Sequence, residues 1–456
     1  MRPYATTNPV TGERVREYPP LPDSEVDGVV ERAHYAFASW RLVALEERSA
    51  ILRRSAMIHR ERAQELASIV TLETGKPITQ ALGEVALVAS IYDYYAANGA
   101  KFLADEVLDI AGGGEAVVRT EPVGTLIGIM PWNYPYYQVA RFVAPNLVLG
   151  NTVILKHARN CPQAALAIEG VLRDAGVPEG VYANVFASSD QIATMIGDPR
   201  VQGVSLTGSE QAGSAVGEVA GRHMKKYVLE LGGSDPFIVL GDADLDAAAS
   251  AAVVGRMSNA GQACTASKRF IIVDEVFDDF VGRFAQAMRA YVAGDPTDPR
   301  TQLGPLSSED TRADLVSIVD DAVSKGARVL VGGTSPGGAG AYFPATILAD
   351  VTPQMRAYHE ELFGPVAVVY RVRDTDAAVL LANDSPFGLA SSVFSADVDK
   401  AKTIGGRLET GMVWINSTSR SAPDLPFGGV KRSGVGRELA KFGINEFANK
   451  KLIRTP

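Results

Sequence analysis

Apolar residues enter the chain on a helical beat. Val26, Val29, Val30, Ala33, Phe37 and Trp40 recur at the spacing of one helix face, with Asp23 and Ser24 as candidate caps, which predicts a helix over 23–40. A second helical stretch runs from 45 to 74 and stops at Gly75-Lys76-Pro77, and a third runs from 79 to 103. The beat then breaks at Ala111-Gly112-Gly113-Gly114. Beyond it, residues 116–122 read as an exposed extended segment, and an unpaired edge of that kind seeks a partner. Together with the strand-like stretch 444–453 it is expected to form a contact between subunits.

From 123 to 231 the pattern changes to short apolar runs at 124–130, 151–156, 181–187, 203–208 and 226–231, separated mostly by helical stretches such as 162–175 and 209–223. Alternation of this kind predicts a parallel sheet with helices on its faces, and such sheets bind nucleotides at the carboxyl ends of their strands. A second alternating series lies between 237 and 416, with strands at 270–273, 328–331, 366–372, 391–394 and 412–415, enough for a second α/β domain. Breaks rich in glycine or proline at 295–300 and 332–340 read as surface loops. The 456 residues, 46% of them hydrophobic, can bury the cores of two domains or more.

Composition narrows the chemistry. A net charge of −9 opposes a general nucleic-acid role, which wants clustered Lys and Arg. Two cysteines, Cys161 and Cys264, cannot make a disulfide framework or a Cys-rich metal site, so no metal is expected. The opening residues carry no apolar signal core and no later run is long enough to span a bilayer; a cytoplasmic location is the expectation, with no membrane partner. Small-molecule chemistry remains.

Cys264 lies on a turn of small residues, 258–270, between a helix predicted over 245–257 and a strand at 269–273. Gly261 and the alanines at 260, 263 and 266 leave room for close approach to the backbone. Locally, two readings stand: a thiol presented at a cleft, or a small buried hydrophobe. Cys161 reads as the latter. Other candidates fall where strands end. Asn133 follows the first strand of the first series, where its amide could donate to an oxyanion alongside the Cys264 backbone N–H. Glu230 precedes Gly232-Gly233 at a strand end, the place for a general base. None of the five histidines is in a partner position for Cys264, so a carboxylate must do the base work. There is no GxGxxG fingerprint; the glycines fall instead in Thr207-Gly208-Ser209-Glu210-Gln211-Ala212-Gly213, a helix start whose N–H groups suit a pyrophosphate. Lys156-His157-Ala158-Arg159 sets two cations after the second strand, either solvated loop charges or a seat for a ribose and its phosphate.

Pro131-Trp132-Asn133, Gly208-Ser209 with Gly213, Glu230-Leu231-Gly232-Gly233, Gly261-Gln262-Ala263-Cys264 and the run from Glu360 to Pro365 occur in this order, and with them the chain resembles the aldehyde dehydrogenase superfamily over nearly its whole length. The resemblance extends through Asn383 to Leu389 and Pro426 to Gly434. It implies an α/β fold with a Rossmann-type cofactor domain (1–103 and 123–233), a second α/β catalytic domain (234–425) and small oligomerisation segments (104–122 and 426–456), in a homo-oligomer such as a dimer or tetramer. It implies that Cys264 attacks an aldehyde and carries a thioester, that Asn133 stabilises the oxyanion, and that Glu230 activates the hydrolytic water. Cofactor contacts are expected at Trp132, Lys156, His157, Ala158, Arg159, Gly208, Ser209, Gly213, Leu231, Glu361 and Phe363.

Within that superfamily the chain looks most like the compact bacterial succinate-semialdehyde dehydrogenases, which implies an aldehyde with a remote carboxylate. Arg141 falls where those enzymes place a substrate-binding arginine, and Arg420 and Ser421 belong to the loop expected to border the substrate. Ser258 and Ala266 depart from relatives that carry an arginine and a second cysteine there, and the loop 417–424 has an individual sequence. Arg159 stands where NAD-preferring members often have a glutamate, so with Lys156 it favours NADP, NAD remaining possible. Two other readings stay open: a dehydrogenase for an uncharged aldehyde, and a non-catalytic binding member of the fold.

Overall fold

The computed structural model describes residues 3–456. The helix Val26–Trp40 buries Val29, Val30, Ala33 and Trp40, the stripe its spacing predicts. The stretch expected as one helix over 45–74 is two, Leu45–Glu61 and Ala63–Thr74, because the backbone of Arg62 leaves the helical region at φ −100°, ψ 18°. Gly75, at φ 72°, ends the second with a left-handed cap. The long helix Ile78–Leu103 packs against both Leu45–Glu61 and Pro135–Leu149.

Behind these helices stands a six-stranded sheet in the order Gly434–Val435, Lys226–Glu230, Val201–Thr207, Thr125–Met130, Thr152–His157, Tyr182–Asn184. All neighbours are parallel except the first pair. Helices cover both faces, which is why Leu126-Ile127 and Val153-Ile154-Leu155 read as unbroken apolar runs. The earliest strand, Thr125–Met130, lies between Thr152–His157 and Val201–Thr207. The winding direction reverses there, and the carboxyl ends of the strands splay to leave a crevice. The run at 181–187 contributes only Tyr182–Asn184. Gly434–Val435, within the stretch expected for oligomerisation, extends the opposite edge of this sheet.

A seven-stranded sheet follows in the order Arg328–Val331, Thr346–Ala349, Val366–Val372, Ser267–Val273, Asp235–Val239, Ala390–Phe394, Met412–Ile415. Its largely aliphatic core holds a cluster of phenylalanines, with Phe237 stacked 4.5 Å from Phe394 and Phe270 tilted 4.7 Å from Phe284. A three-stranded sheet pairs Glu115–Pro122 with Ala448–Thr455 on one side and Glu106–Val107 on the other. The partner sought by the segment 116–122 is therefore within the chain. The strand expected to begin at 444 begins at Ala448; Ala440–Glu446 is helical, because Ile444 is fully buried in the helical core and the chain curls to place it there. Among the described residues no helix is long and apolar enough to cross a membrane.

Candidate active site

The six-stranded sheet brings its carboxyl ends to the cleft through Trp132-Asn133, Thr207-Gly208 and Glu230, while the seven-stranded sheet brings an amino end through Cys264, which precedes Ser267–Val273. Two chambers meet at the thiol. The larger, about 290 Å³, is lined by Trp132, Asn133, Gly208, Ser209, Glu230, Leu231, Glu361 and Phe363. The smaller, about 250 Å³, is lined by Tyr134, Tyr137, Ser258, Thr418, Arg420, Ser421 and Phe427. Cys264 and Gln138 belong to both walls. A third cleft of about 750 Å³, beside the edge strand Tyr182–Asn184, contains none of the expected site residues and has no part in this chemistry.

The turn that carries the thiol is held in an unfavourable conformation. After the helix Leu245–Met257, capped by Asp244, come Asn259 and Ala260 at φ 52° and Gly261 at φ 74°. Left-handed backbone at two non-glycine residues costs on the order of 1–3 kcal/mol each and persists only where surroundings over-determine it. Here they do. The Asn259 amide donates to the Asn133 carbonyl at 2.8 Å, its backbone N–H donates to Gln80 at 2.7 Å, and Asn133 Nδ2 donates to the Gln262 carbonyl at 3.0 Å. The same bonds hold Asn133 against the nucleophile turn. Only one N–H of its amide is used by that contact, leaving the other as a donor at the chamber wall. A Cβ on Gly261 would lie 2.3 Å from the Gly364 carbonyl oxygen, so this position is closed to any side chain.

Glu230 is 2% exposed, and neither carboxylate oxygen has a hydrogen-bond partner. Burial raises its carboxyl well above the usual range, Arg141 opposes the rise and Glu438 adds to it. Burial likewise pushes the Cys264 thiol up to about 12, with Arg141 and Lys268 pulling down and Glu361 and Glu230 pushing up. The two glycines after Glu230 admit close neighbours: a Cβ on Gly232 would meet Glu361 Oε2 at 2.5 Å, and one on Gly233 would meet the Cys264 carbonyl oxygen at 2.6 Å. Glu361 accepts the Gly233 N–H at 3.1 Å, and Phe363 stands edge-on to Trp132 with ring centres 5.6 Å apart.

The expected cofactor residues divide into wall and frame. Trp132, Gly208, Ser209, Leu231, Glu361 and Phe363 line the larger chamber. Ser209 caps the helix Glu210–Arg222 by accepting from Ala212, leaving other first-turn N–H groups at the helix start. Lys156 and Arg159 both lie 5.8 Å from the Tyr4 ring centre, and burial followed by Arg159 lowers the Lys156 ammonium to about 8. Two basic side chains gathered over one ring, after the second strand, form a fit for an anionic group on a ribose. The His157 ring is fully buried between the Pro135 carbonyl and the Ala158 N–H, and burial lowers it to about 4. Ala158 and Gly213 are off the wall as well; Gly213 lets its helix close on Leu231, where a Cβ would sit 2.6 Å from Cδ2.

Arg141 is a second departure. Its guanidinium is fully buried, ion-paired with Glu438, bonded to Thr207 at 3.1 Å and Tyr137 at 3.3 Å, and stacked 4.3 Å from the Phe427 ring centre. It lines neither chamber. A carboxylate from a distant part of the chain takes the charge that was expected for a substrate. Its influence reaches the smaller chamber through Tyr137, whose hydroxyl donates to Ser421 at 2.8 Å. Arg420 and Ser421 lie on that wall, and Arg420 is exposed.

Other residues of the site were not foreseen. Glu84 accepts the N–H groups of Tyr136 and Tyr137 at 2.9 and 3.1 Å, so it caps the helix that follows Asn133, and it is ion-paired with fully buried Lys76, which lies 3.7 Å from the Tyr134 ring centre. Lys268, 1% exposed, binds the nucleophile turn and Glu361 together. The available signal was a lysine inside the predicted turn-to-strand run, four residues beyond the thiol, since a lysine that becomes buried there must find partners.

Comparison with known proteins finds the aldehyde dehydrogenase family over residues 2–453. A succinate-semialdehyde dehydrogenase [NADP(+)] of Deinococcus radiodurans is 57% identical over 99% of this chain and 95% of its own. Among solved structures, that of Gox0499, studied for cofactor and substrate selection, is 44% identical with TM-score 0.99 over the whole of both chains. Succinic semialdehyde dehydrogenase from Streptococcus pyogenes, in complex with NADP+, is 41% identical with TM-score 0.97, covering 99% of this chain and all of that one.

Proposed function

Because the chain belongs to the aldehyde dehydrogenase family, we propose that it oxidises succinate semialdehyde to succinate with NADP, through a thioester on Cys264. The observation that carries this reading is a thiol shared by two chambers, with the unpartnered carboxylate of Glu230 on the wall of one and the cation of Arg420 on the wall of the other. The larger chamber takes the cofactor, held at Trp132, Ser209, Leu231, Glu361 and Phe363, with Lys156 and Arg159 favouring the phosphate of NADP over NAD. When bound, the cofactor accepts the hydride. The smaller chamber takes the aldehyde.

The chain's own residues supply the rest. Cys264 Sγ bonds to the aldehyde carbon as its proton passes to solvent water, and the second N–H of Asn133 with the Cys264 backbone N–H stabilises the oxygen that becomes negative. Arg141, behind both chambers, lowers the cost of the thiolate and of ionised Glu230. Glu230 takes a proton from water, the water oxygen attacks the thioester carbon, and the carbon–sulfur bond breaks to release the acid and the thiolate. A raised carboxyl suits a base that must also give its proton up. Arg420, with Ser421 and Tyr137 beside it, holds the remote carboxylate; this replaces the role first expected of Arg141.

Arg141's engagement with Glu438 favours one other reading, a neutral aldehyde as substrate. Initial rates of NADPH and NADH formation with succinate semialdehyde, propanal and benzaldehyde decide between them: preference for the semialdehyde with NADP supports the proposal, and faster turnover of a neutral aldehyde overturns the substrate. The enzyme is further taken to be a cytoplasmic homo-oligomer, where a reducing environment keeps the thiol free, with the exposed strand Ala448–Thr455 and its Leu452 at the subunit contact.

A further inference from the structure

Lys268 stands at the crossing of the two halves of the site. Its ammonium lies 3.1 Å from the Ala263 carbonyl oxygen, 2.9 Å from that of Cys264, 3.2 Å from that of Ala266 and 3.1 Å from Glu361 Oε1. Four acceptors surround a group with three protons, so the carboxylate and the carbonyls compete for it. Three of the four belong to the nucleophile turn; the fourth lines the larger chamber and also accepts the Gly233 N–H. Asp235, Arg256 and Arg269 are the other charged groups around this cluster, and Arg141 and Glu230 also act on the thiol.

We infer that Lys268 is a positioning residue that couples the cofactor seat to the nucleophile: its ammonium binds the Cys264 turn and the Glu361 carboxylate at once, and its charge turns to the thiol when Glu361 is engaged elsewhere. The inference rests on the roles proposed above for Cys264 and Glu361. Paired with Glu361, the lysine charge is largely neutralised at the thiol. Hydroxyl donors in the larger chamber would draw the carboxylate to themselves, leaving the ammonium to the carbonyls of residues 263, 264 and 266 and its field to Sγ. The nucleophile would then be activated only when the hydride acceptor is in place, which protects an idle thiol from oxidation.

The test needs no aldehyde. The rate of Cys264 alkylation by iodoacetamide is followed against pH, with and without NADP, in wild type, Lys268→Met, Lys268→Arg and Glu361→Gln, with the modified peptide identified by mass and each melting temperature recorded. In wild type, NADP is expected to move the alkylation midpoint down by about one pH unit, a roughly tenfold faster rate at fixed pH. Lys268→Met should start higher and show no movement, Lys268→Arg should keep part of it, and Glu361→Gln without cofactor should already sit at the lowered midpoint. A folded Lys268→Met that keeps the full movement overturns the inference, as does a Glu361→Gln midpoint equal to that of wild type without cofactor; the second comparison stands even where Lys268→Met does not fold. Failure of the underlying reading is separate: there, enzyme fully alkylated at Cys264 would still turn over aldehyde.

Discussion

The larger chamber is walled by strand ends and the turns beside them, each fixed by a sheet: Trp132 and Asn133 after Thr125–Met130, Gly208 and Ser209 after Val201–Thr207, Glu230 at the end of its own strand, and Cys264, Glu361 and Phe363 before strands of the seven-stranded sheet. The smaller is walled by pieces of different origin, the helix Pro135–Leu149, the end of the helix Leu245–Met257 and the loop around Thr418 to Ser421. A sheet end can move only if the sheet moves, whereas a loop changes residue by residue at little cost to the fold. The chemistry common to aldehydes is thus assigned to the rigid wall and the choice among aldehydes to the replaceable one. Cys264, on both walls, is where the two assignments must agree.

Removing the shared group should have the largest effect. Cys264→Ala is expected to lower kcat by about 10⁴-fold or more with every aldehyde, since the covalent route is closed, while NADP binding, measured by fluorescence titration, stays near wild type. A variant that kept substantial turnover would separate the chambers from the thiol. Next in size, Arg420→Ala should lower kcat/KM for succinate semialdehyde by roughly 10- to 100-fold, the worth of a charge-assisted contact, and that for propanal far less. Equal losses for both would give Arg420 a structural role and return the specificity question to Arg141. The smallest effect concerns pH. With the Lys156 ammonium lowered to about 8, its positive charge is present below that pH and lost above it. The preference for NADP over NAD, read as a ratio of kcat/KM values, should fall as pH rises through about 8, and Lys156→Met should flatten the profile.

The same contrast accounts for what could be read in the sequence. Alternating apolar runs mark most of the strands of both sheets. Asn133 and Glu230 stand at carboxyl ends of the six-stranded sheet, while Cys264, Glu361 and Phe363 precede two paired strands of the seven-stranded one, and strand ends that are neighbours in a sheet come together whatever their separation in sequence. Arg141 lies between the apolar runs 124–130 and 151–156, and nothing local names its partner. Glu438 approaches it only because the chain crosses back after the seven-stranded sheet, and local pattern does not record that return. His157 is expected beside Lys156 among the cofactor contacts, yet alternation along the strand Thr152–His157 turns its ring to the other side from Lys156, into the Pro135 carbonyl. The break at Arg62 and the helical turn at Ala440–Glu446 are hidden for separate reasons: helix-compatible residues flank the first, and burial of Ile444 decides the second.

The proposed cycle turns on one thiol that serves the cofactor chamber and the aldehyde chamber, and on Glu230 as the base that ends it. Its most direct test is a single-turnover experiment on Glu230→Gln with succinate semialdehyde and NADP, followed by mass spectrometry of the intact protein and of its Cys264 peptide. The account predicts one equivalent of NADPH in a burst, then near arrest, with the mass of one succinyl group on Cys264. A burst without that adduct, or steady turnover without Glu230, would contradict it.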